Sequence, residues 1–320
     1  MDLELLRPLW YSKGFVLNED CRQSLKLWLT DGNYYINETP PELSLFCQSV
    51  DEVKKCFSLD AFRFAAHSAQ TVYELEKSSA YTKLTSWRMI QTYYAAYFAA
   101  HAVLRFFGCS FSHLEAGHVR FLKDRCTSEV GYSPNLPSSY YLISLSPETR
   151  SLSFERFNES HKDLWKCFLA LLQRVSNDSL SLRASEVRRQ SISKKFADLA
   201  DALSARGRFP AGNWLSLMRN EVNYKSLDGV WFPFEKSTPA FGDLMASVKD
   251  WRDCSSKFGD PNSITNDRER FFISAFMVID LGLSIAMDYQ EISQKSGRRS
   301  HEFKRRLCPG WWCKTDGSAG

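Results

Sequence analysis

The sequence lacks the motifs that mark most nucleotide-dependent and zinc-dependent enzymes. It contains no glycine-rich phosphate loop ending in Lys-Ser or Lys-Thr, no Gly-x-Gly-x-x-Gly, no His-Glu-x-x-His and no Gly-x-Ser-x-Gly. These absences argue against a nucleotide hydrolase and a zinc peptidase. No cofactor is expected.

The cysteines also lack a metal-binding or disulfide pattern. Nine of them are scattered along the chain, with no Cys-x-x-Cys and no histidine at metal-ligand spacing beside them. We interpret them as unpaired and mostly buried thiols, as is typical of a reducing compartment. The N-terminus lacks the basic and apolar regions of a secretory signal. A cytoplasmic protein is therefore expected.

Long apolar runs and a strong net charge are absent too. The stretch 271–287 is interrupted by Asp280 and is shorter than the roughly 20 apolar residues of a membrane span, so it predicts a buried core helix and no membrane association. The formal net charge is only +4. A nucleic-acid binder would therefore have to be identified from charge clusters rather than from the total charge.

The residues that are present predict a mostly α-helical globular protein. Hydrophobic residues make up 44% and aromatic residues 14% of the chain, enough for a substantial core. Helical periodicity predicts helices at 21–29, 49–75, 84–107, 113–126, 159–175, 184–203, 214–224 and 267–294. Two short runs around Pro147 predict a β-hairpin at about 138–157. The predicted organisation is an N-terminal elaboration (1–48), a helical bundle (49–294) and a basic tryptophan-containing tail (295–320).

The predicted helix 214–224 carries most of the functional information. At 100° per residue its apolar side chains share one arc, and its polar or aromatic side chains share the opposite one. The apolar arc holds Trp214, Leu215, Met218 and Val222. The opposite arc holds Arg219, Asn220, Asn223 and Tyr224. Arg219 and Asn223 are one turn apart, so they could hold the same phosphate or ribose. Alternatively, Arg219 pairs with a carboxylate and Tyr224 caps the core.

Two clusters of basic residues are candidate nucleic-acid-binding segments. The first consists of Arg183, Arg188, Arg189, Lys194 and Lys195. The second lies in the tail and consists of Arg298, Arg299, Lys304, Arg305 and Arg306. Each could attract phosphate, or each could simply be the solvated face of a helix.

The histidines form no recognisable catalytic or metal-binding arrangement. His101 lies on an apolar stripe of the predicted helix 84–107, which favours a core histidine with satisfied hydrogen bonds. His113 and His118 are five residues apart, too far round a helix for a metal pair. No metal site is predicted.

The chain resembles the HEPN superfamily of α-helical domains. The resemblance rests on the run from Tyr93 to Arg105, Tyr-Tyr-Ala-Ala-Tyr-Phe-Ala-Ala-His-Ala-Val-Leu-Arg, followed far downstream by Arg219-Asn220. It implies a bundle of four or five helices, often dimeric. Many members are metal-independent endoribonucleases of bacterial toxin-antitoxin, abortive-infection and CRISPR systems.

The family signature is Arg, then a polar residue that is often Asn, then His four to six residues after the Arg. Arg219 and Asn220 match the first two positions. Asn223, Tyr224 and Lys225 occupy the positions where the histidine is expected. Histidine suits the role of base for the ribose 2′-hydroxyl because it titrates near neutrality, and the substituted residues do not.

Three functions stay open at this stage. The first is an RNA-directed HEPN-like protein of a bacterial antiphage defence or toxin system, in which Arg219, Asn220, Asn223 and Tyr224 line the site of a metal-independent endoribonuclease. The second is a non-catalytic HEPN-like adaptor that binds a nuclease or ATPase in a defence complex through exposed aromatic residues. Those residues would be Trp231, Phe232, Phe234, Trp311 and Trp312. The third is a nucleic-acid-binding module without chemistry. A homodimer or a hetero-complex is expected by resemblance.

Overall fold

A computed structural model describes residues 2–14, 23–37, 43–78, 85–205, 207–225 and 264–295. Within these ranges the chain is mostly helical, as predicted, with nine helices and five strands. The helices are α1 (Leu3–Gly14), α2 (Leu25–Asp31), α3 (Val50–Ser78), α4 (Thr85–Phe106), α5 (Ala116–Val130), α6 (Ser160–Ser179), α7 (Glu186–Leu203), α8 (Trp214–Lys225) and α9 (Asp267–Lys295). The strands are β1 (Tyr34–Ile36), β2 (Ser44–Cys47), β3 (Cys109–Leu114), β4 (Ser139–Ser146) and β5 (Ser151–Phe157).

The six long or strongly periodic helices begin close to their predicted positions. Helices α3, α4, α6, α7, α8 and α9 each start within two residues of the first residue predicted for them. Each carries an apolar stripe at helical spacing, and burial of that stripe stabilises the helix more than intrinsic propensity does. The predicted helix at 21–29 is the shorter α2, and α1 was not predicted.

The predicted β-hairpin is confirmed but is only the centre of a larger sheet. Strands β4 and β5 pair in antiparallel register from Tyr140 opposite Phe157 to Ser146 opposite Ser151. The complete sheet has the order β1-β2-β5-β4-β3, and every neighbouring pair is antiparallel. Strands β1 and β2 come from the segment that the sequence predicted as an N-terminal elaboration.

The helix predicted at 113–126 is wrong in its first turn. His113 and Leu114 belong to strand β3, which pairs with β4, and the helix begins only at Ala116. The ring of Phe111 in β3 stacks on Tyr140 in β4 with centroids 5.6 Å apart. Cross-strand pairing and ring stacking of this kind depend on a strand some thirty residues away, so they override the local pattern.

The chain forms two compact units, each built from two separate segments. Unit 1 contains residues 1–62 and 100–214, and unit 2 contains residues 63–99 and 215–320. In unit 1 an apolar core lies between the sheet, α2, α5 and the first turns of α3. Its largest fully buried members include Trp28 and Phe57. The alternation of buried and less buried residues along β4 shows that one face of the sheet lies on this core.

One edge of the sheet is covered by two charged side chains of α5. The guanidinium of Arg125 donates to the backbone oxygens of Gly32 at 3.2 Å and Tyr34 at 3.1 Å. Glu129 accepts from the backbone N–H of Ile36 at 3.3 Å and forms an ion pair with Arg125. These contacts use backbone groups at an edge strand that would otherwise offer themselves to another strand. Gly32 has a φ of 77°, and a Cβ there would lie 2.1 Å from Arg125 Nη1.

Unit 2 contains the second part of α3, the first part of α4, α8 and α9. Helices α4 and α9 approach closely at Gly282, where an added Cβ would lie 3.0 Å from the Cβ of Ala99. Helix α9 is long and apolar enough to cross a membrane by length and composition, but 78% of its most apolar window is buried within the protein. It is the core helix that the stretch 271–287 predicted.

Candidate functional site

The candidate site lies on α8 and α4 within unit 2. The apolar arc predicted for α8 is confirmed, since Leu215, Met218 and Val222 are all buried. Burial of this arc fixes the rotation of α8 about its axis, because the apolar side chains point into the core. The rotation of the helix in turn determines the direction in which the Arg219 side chain leaves it.

Arg219 is buried, although it lies on the arc of α8 opposite to the apolar side chains. Only 8% of its surface is exposed. Its Nη2 atom donates to the hydroxyl oxygen of Tyr94 at 2.6 Å, and its Nη1 atom donates to the Oδ1 atom of Asn220 at 2.8 Å. Arginine tolerates such burial because its aliphatic stem is apolar and its fork of donors can be bound individually. Hydrogen bonds from both terminal nitrogens therefore fix the position of the guanidinium.

Three tyrosine rings surround this guanidinium. Its Cζ atom lies 5.8 Å from the ring centroid of Tyr93, 5.5 Å from that of Tyr94 and 5.4 Å from that of Tyr224. At these distances the negative faces of aromatic rings attract a cation. Tyr93 is fully buried, whereas 71% of Tyr224 is exposed. We call this arrangement of Arg219, Tyr93, Tyr94, Asn220 and Tyr224 the arginine site.

The charge of Arg219 has no anionic partner in the part of the chain that the structure describes. Its hydrogen-bond partners are a phenol and a carboxamide, and no ion pair among those residues includes it. Its Nε atom is buried and makes no hydrogen bond there. The alternative interpretation, in which Arg219 pairs with a carboxylate, is therefore not observed among the described residues.

Arg219 is charged at neutral pH, as arginine side chains are in folded proteins. Burial acts to lower its pKa, but the hydrogen bond to the Tyr94 hydroxyl acts in the opposite direction, and the pKa ends above its ordinary value. A buried cation normally has a compensating anion, because desolvation of a charge is costly. Within the described residues, the arginine site thus holds a buried positive charge without a compensating anion.

The structure brings together three of the four residues predicted for the site. Arg219 and Asn220 are hydrogen-bonded, and the ring of Tyr224 lies against the guanidinium. Asn223 is exposed one turn further along α8, and within the described residues no hydrogen bond joins it to Arg219. The sequence did not identify Tyr93 and Tyr94 as site residues. A buried tyrosine hydroxyl requires a partner, and that requirement is the signal that adjacent tyrosines on a core helix could have given.

The first basic cluster lies in unit 1, on α7 and just before it, and is partly neutralised. Arg188 forms an ion pair with Asp2 at 2.5 Å, and Lys194 forms one with Asp198 at 2.5 Å. Arg189 donates to the backbone oxygen of Leu180 at 2.8 Å near the end of α6. The two remaining members, Arg183 and Lys195, are exposed. The geometry is that of a solvated helix with local ion pairs, and nucleic-acid binding by this cluster stays a prediction.

The ion pair between Arg188 and Asp2 gives a testable pH dependence. Its hydrogen bond holds the pKa of Asp2 below the ordinary value of 3.8. The resulting stability is present above that value and is lost as the pH falls through the lower folded pKa. We expect Arg188→Gln to lower the free energy of unfolding at pH 7 by at most about 1 kcal/mol, as for other partly exposed pairs. Urea denaturation of the wild type and the variant at neutral and acidic pH checks this expectation. If the difference in free energy of unfolding between the two proteins is as large in acid as at pH 7, the expectation is contradicted.

His101 is a core residue, in agreement with its place on an apolar stripe. Its Nδ1 atom lies 3.0 Å from Nη1 of Arg105. Burial, together with the charge of Arg105, holds the pKa of His101 well below its ordinary value. The ring is therefore neutral, with Nδ1 accepting from Arg105 and the proton on Nε2.

The described residues contain no cluster of metal-ligating side chains and no disulfide. No group of three or more His, Cys, Asp or Glu residues among them could hold a metal ion. The five cysteines in these ranges are all buried, as predicted: Cys47, Cys56, Cys109, Cys126 and Cys167. Burial raises the pKa of Cys47 and of Cys167 to about 12, so both are protonated thiols at neutral pH.

Several predicted features lie outside the described residues. They are the aromatic residues Trp231, Phe232, Phe234, Trp311 and Trp312 and the basic tail from Arg298 to Arg306.

Comparison of the chain with protein-family models, with curated proteins and with solved structures found no match.

Proposed function

We propose that the protein is an RNA-directed, HEPN-like protein of a bacterial antiphage defence or toxin system, and that the arginine site is where it contacts RNA. One observation carries the proposal: Arg219 is a buried, charged guanidinium whose partners among the described residues are all neutral. A phosphodiester supplies the missing anion. A ribose and a base supply surfaces that suit the surrounding tyrosine rings.

The same arrangement supports metal-independent cleavage of the RNA backbone. When the ribose 2′-hydroxyl gives its proton to water and attacks the adjacent phosphorus, the bond from phosphorus to the 5′-oxygen breaks, which yields a 2′,3′-cyclic phosphate and a 5′-hydroxyl. Negative charge builds on the phosphoryl oxygens during this step, and a fixed guanidinium stabilises that charge. Asn220 and Tyr94 hold Arg219 in place, so little reorganisation is required as the charge develops. Positioning and electrostatics of this kind are often the largest contributions to catalysis.

The test is incubation of the purified protein with tRNA and total RNA in EDTA, analysed on a denaturing gel. We expect slow cleavage by the wild type and a loss of about 100-fold or more in Arg219→Ala, as for removal of a single group that stabilises a developing anion. Lys225→Ala is the matched control, because Lys225 is an exposed cation on the same helix. We expect its activity to be close to that of the wild type.

Other outcomes of this test contradict parts of the proposal. Equal losses in Arg219→Ala and Lys225→Ala would mean that general positive charge, rather than the arginine site, binds RNA. Absence of cleavage by the wild type at high protein concentration would contradict the nuclease. Absence of both cleavage and RNA binding, measured by fluorescence anisotropy, would contradict an RNA-directed function altogether.

The adaptor alternative is favoured by a separate observation in unit 2. Trp87 on α4 is 51% exposed, and Tyr224 on α8 is 71% exposed. Exposed aromatic side chains are enriched at protein interfaces, where they often contribute most of the binding energy. If the wild type neither cleaves nor binds RNA, co-purification with and without Trp87→Ala tests this function, and retention of every partner by the variant contradicts it.

A further inference from the structure

The arginine site is closed in this structure, although its chemistry suits an anion. The Nε atom of Arg219 is buried and has no hydrogen-bond partner among the described residues. A buried N–H group without a partner is uncommon in folded proteins and calls for an explanation. An anion would satisfy it, but an anion cannot reach a buried atom unless a neighbouring side chain moves.

The three rings around the guanidinium differ in how easily they could move. Tyr93 is fully buried and therefore held by the core. Tyr94 is anchored by the hydrogen bond from Arg219 at 2.6 Å. Tyr224 is 71% exposed and is the penultimate residue of α8, so most of its ring is surrounded by solvent rather than by packed side chains.

We propose that Tyr224 is a lid over Arg219, and that its ring must swing away before a phosphate group can bind the guanidinium. The closed position is held by contact between the cation and the ring face, with Arg219 Cζ 5.4 Å from the ring centroid. Exposed side chains change rotamer within nanoseconds, so opening does not limit the rate of binding. The lid instead lowers the affinity, because only the fraction of molecules whose site is open can bind the anion.

This inference rests on the proposed function only for the identity of the anion. The lid keeps an otherwise uncompensated cation away from inorganic phosphate and other small anions. A ligand that offers an aromatic base as well as a phosphate can replace the contact that the Tyr224 ring gives up. The lid thereby favours a nucleotide unit over a bare anion.

The test uses phenylglyoxal, a reagent that modifies accessible arginines, with the rate at each arginine followed by mass spectrometry of the full chain. We expect Arg219 in Tyr224→Ala to react about tenfold faster or more than in the wild type, since a minor open state is populated at about 10% or less. Tyr224→Phe is the matched control and should stay protected, because it keeps the ring. The exposed Arg183 is the internal standard and should react equally in all three proteins.

The outcomes separate the lid from the proposed function. Equal rates at Arg219 in the wild type and in Tyr224→Ala overturn the lid, and so does loss of protection in Tyr224→Phe. A second measurement adds an RNA oligonucleotide to Tyr224→Ala before the reagent. If the RNA slows modification of Arg219, both proposals are supported. If Arg219 is exposed by the mutation but RNA gives no protection, the lid stands and the RNA-directed function fails.

Discussion

Replacing Trp28 by alanine is expected to lower the free energy of unfolding by about 3 kcal/mol or more, the usual cost of removing a large aromatic side chain from a core. Trp28 on α2 is 1% exposed and lies in the core of unit 1. Its ring packs against that of Tyr34 with centroids 5.4 Å apart. The cavity left behind cannot close easily, because the sheet on one side is fixed by its ladder of hydrogen bonds.

Leu27→Ala is the matched control for this substitution. Leu27 is the preceding residue on α2, and 55% of it is exposed. We expect its free energy of unfolding to change by no more than about 0.5 kcal/mol, as for most surface positions. Guanidinium denaturation followed by tryptophan-independent far-ultraviolet circular dichroism measures both variants. Similar losses in the two would show that Trp28 does not occupy the core position described above.

Gly282→Leu is expected to cost about 3 kcal/mol by overpacking the contact between α9 and α4 in unit 2. At this position an added Cβ would already lie 3.0 Å from the Cβ of Ala99 and 3.1 Å from its backbone oxygen. The rest of a leucine side chain has no space there, so the two helices must separate. Because α4 also carries Tyr93 and Tyr94, the same denaturation experiment should be joined by the phenylglyoxal rate at Arg219, which we expect to rise.

Gly117→Leu provides the comparison, since a side chain can be added there without contact. Nothing lies within 4 Å of a Cβ built on Gly117, which is in the first turn of α5. Leucine exceeds glycine in helix propensity by about 0.5–1 kcal/mol, so this variant should be unchanged or slightly more stable. A loss at Gly282 no larger than at Gly117 would mean that α4 and α9 do not approach closely.

The sequence predicted the elements whose signal is local and long. Helices α3, α4, α6, α7, α8 and α9 each carry several turns of apolar periodicity, and all were located from it. Strand β1, by contrast, has three residues, and β2 has four. An alternating pattern cannot be recognised over so few positions, and the pairing of β2 with β5 joins residues about a hundred positions apart. Such strands exist because of their partners rather than their own composition.

The candidate site divides in the same way. The residues on α8 were found because they share one short segment, and the apolar arc that orients them is a local pattern. The burial of Arg219 was not foreseen, because it depends on Tyr94, which lies 125 residues earlier in the chain. The neutralisation of Arg188 was not foreseen either, because its partner Asp2 is 186 residues away. When a side chain lies at the border between the apolar and polar arcs of a helix, its burial depends on partners that are distant in the sequence.

Because neither unit is a continuous stretch of chain, synthesis on the ribosome imposes an order on folding. Residues 63–99 emerge early, yet their unit is complete only after residues beyond 215 have followed. Throughout the synthesis of 100–214 the nascent chain therefore lacks helices α8 and α9, which later contact α4 at Tyr94 and Ala99. Apolar surfaces that an incomplete unit leaves exposed are what chaperones bind, and they are prone to aggregation when unprotected. The arginine site, whose parts come from both segments of unit 2, is thus among the last features of the protein to form.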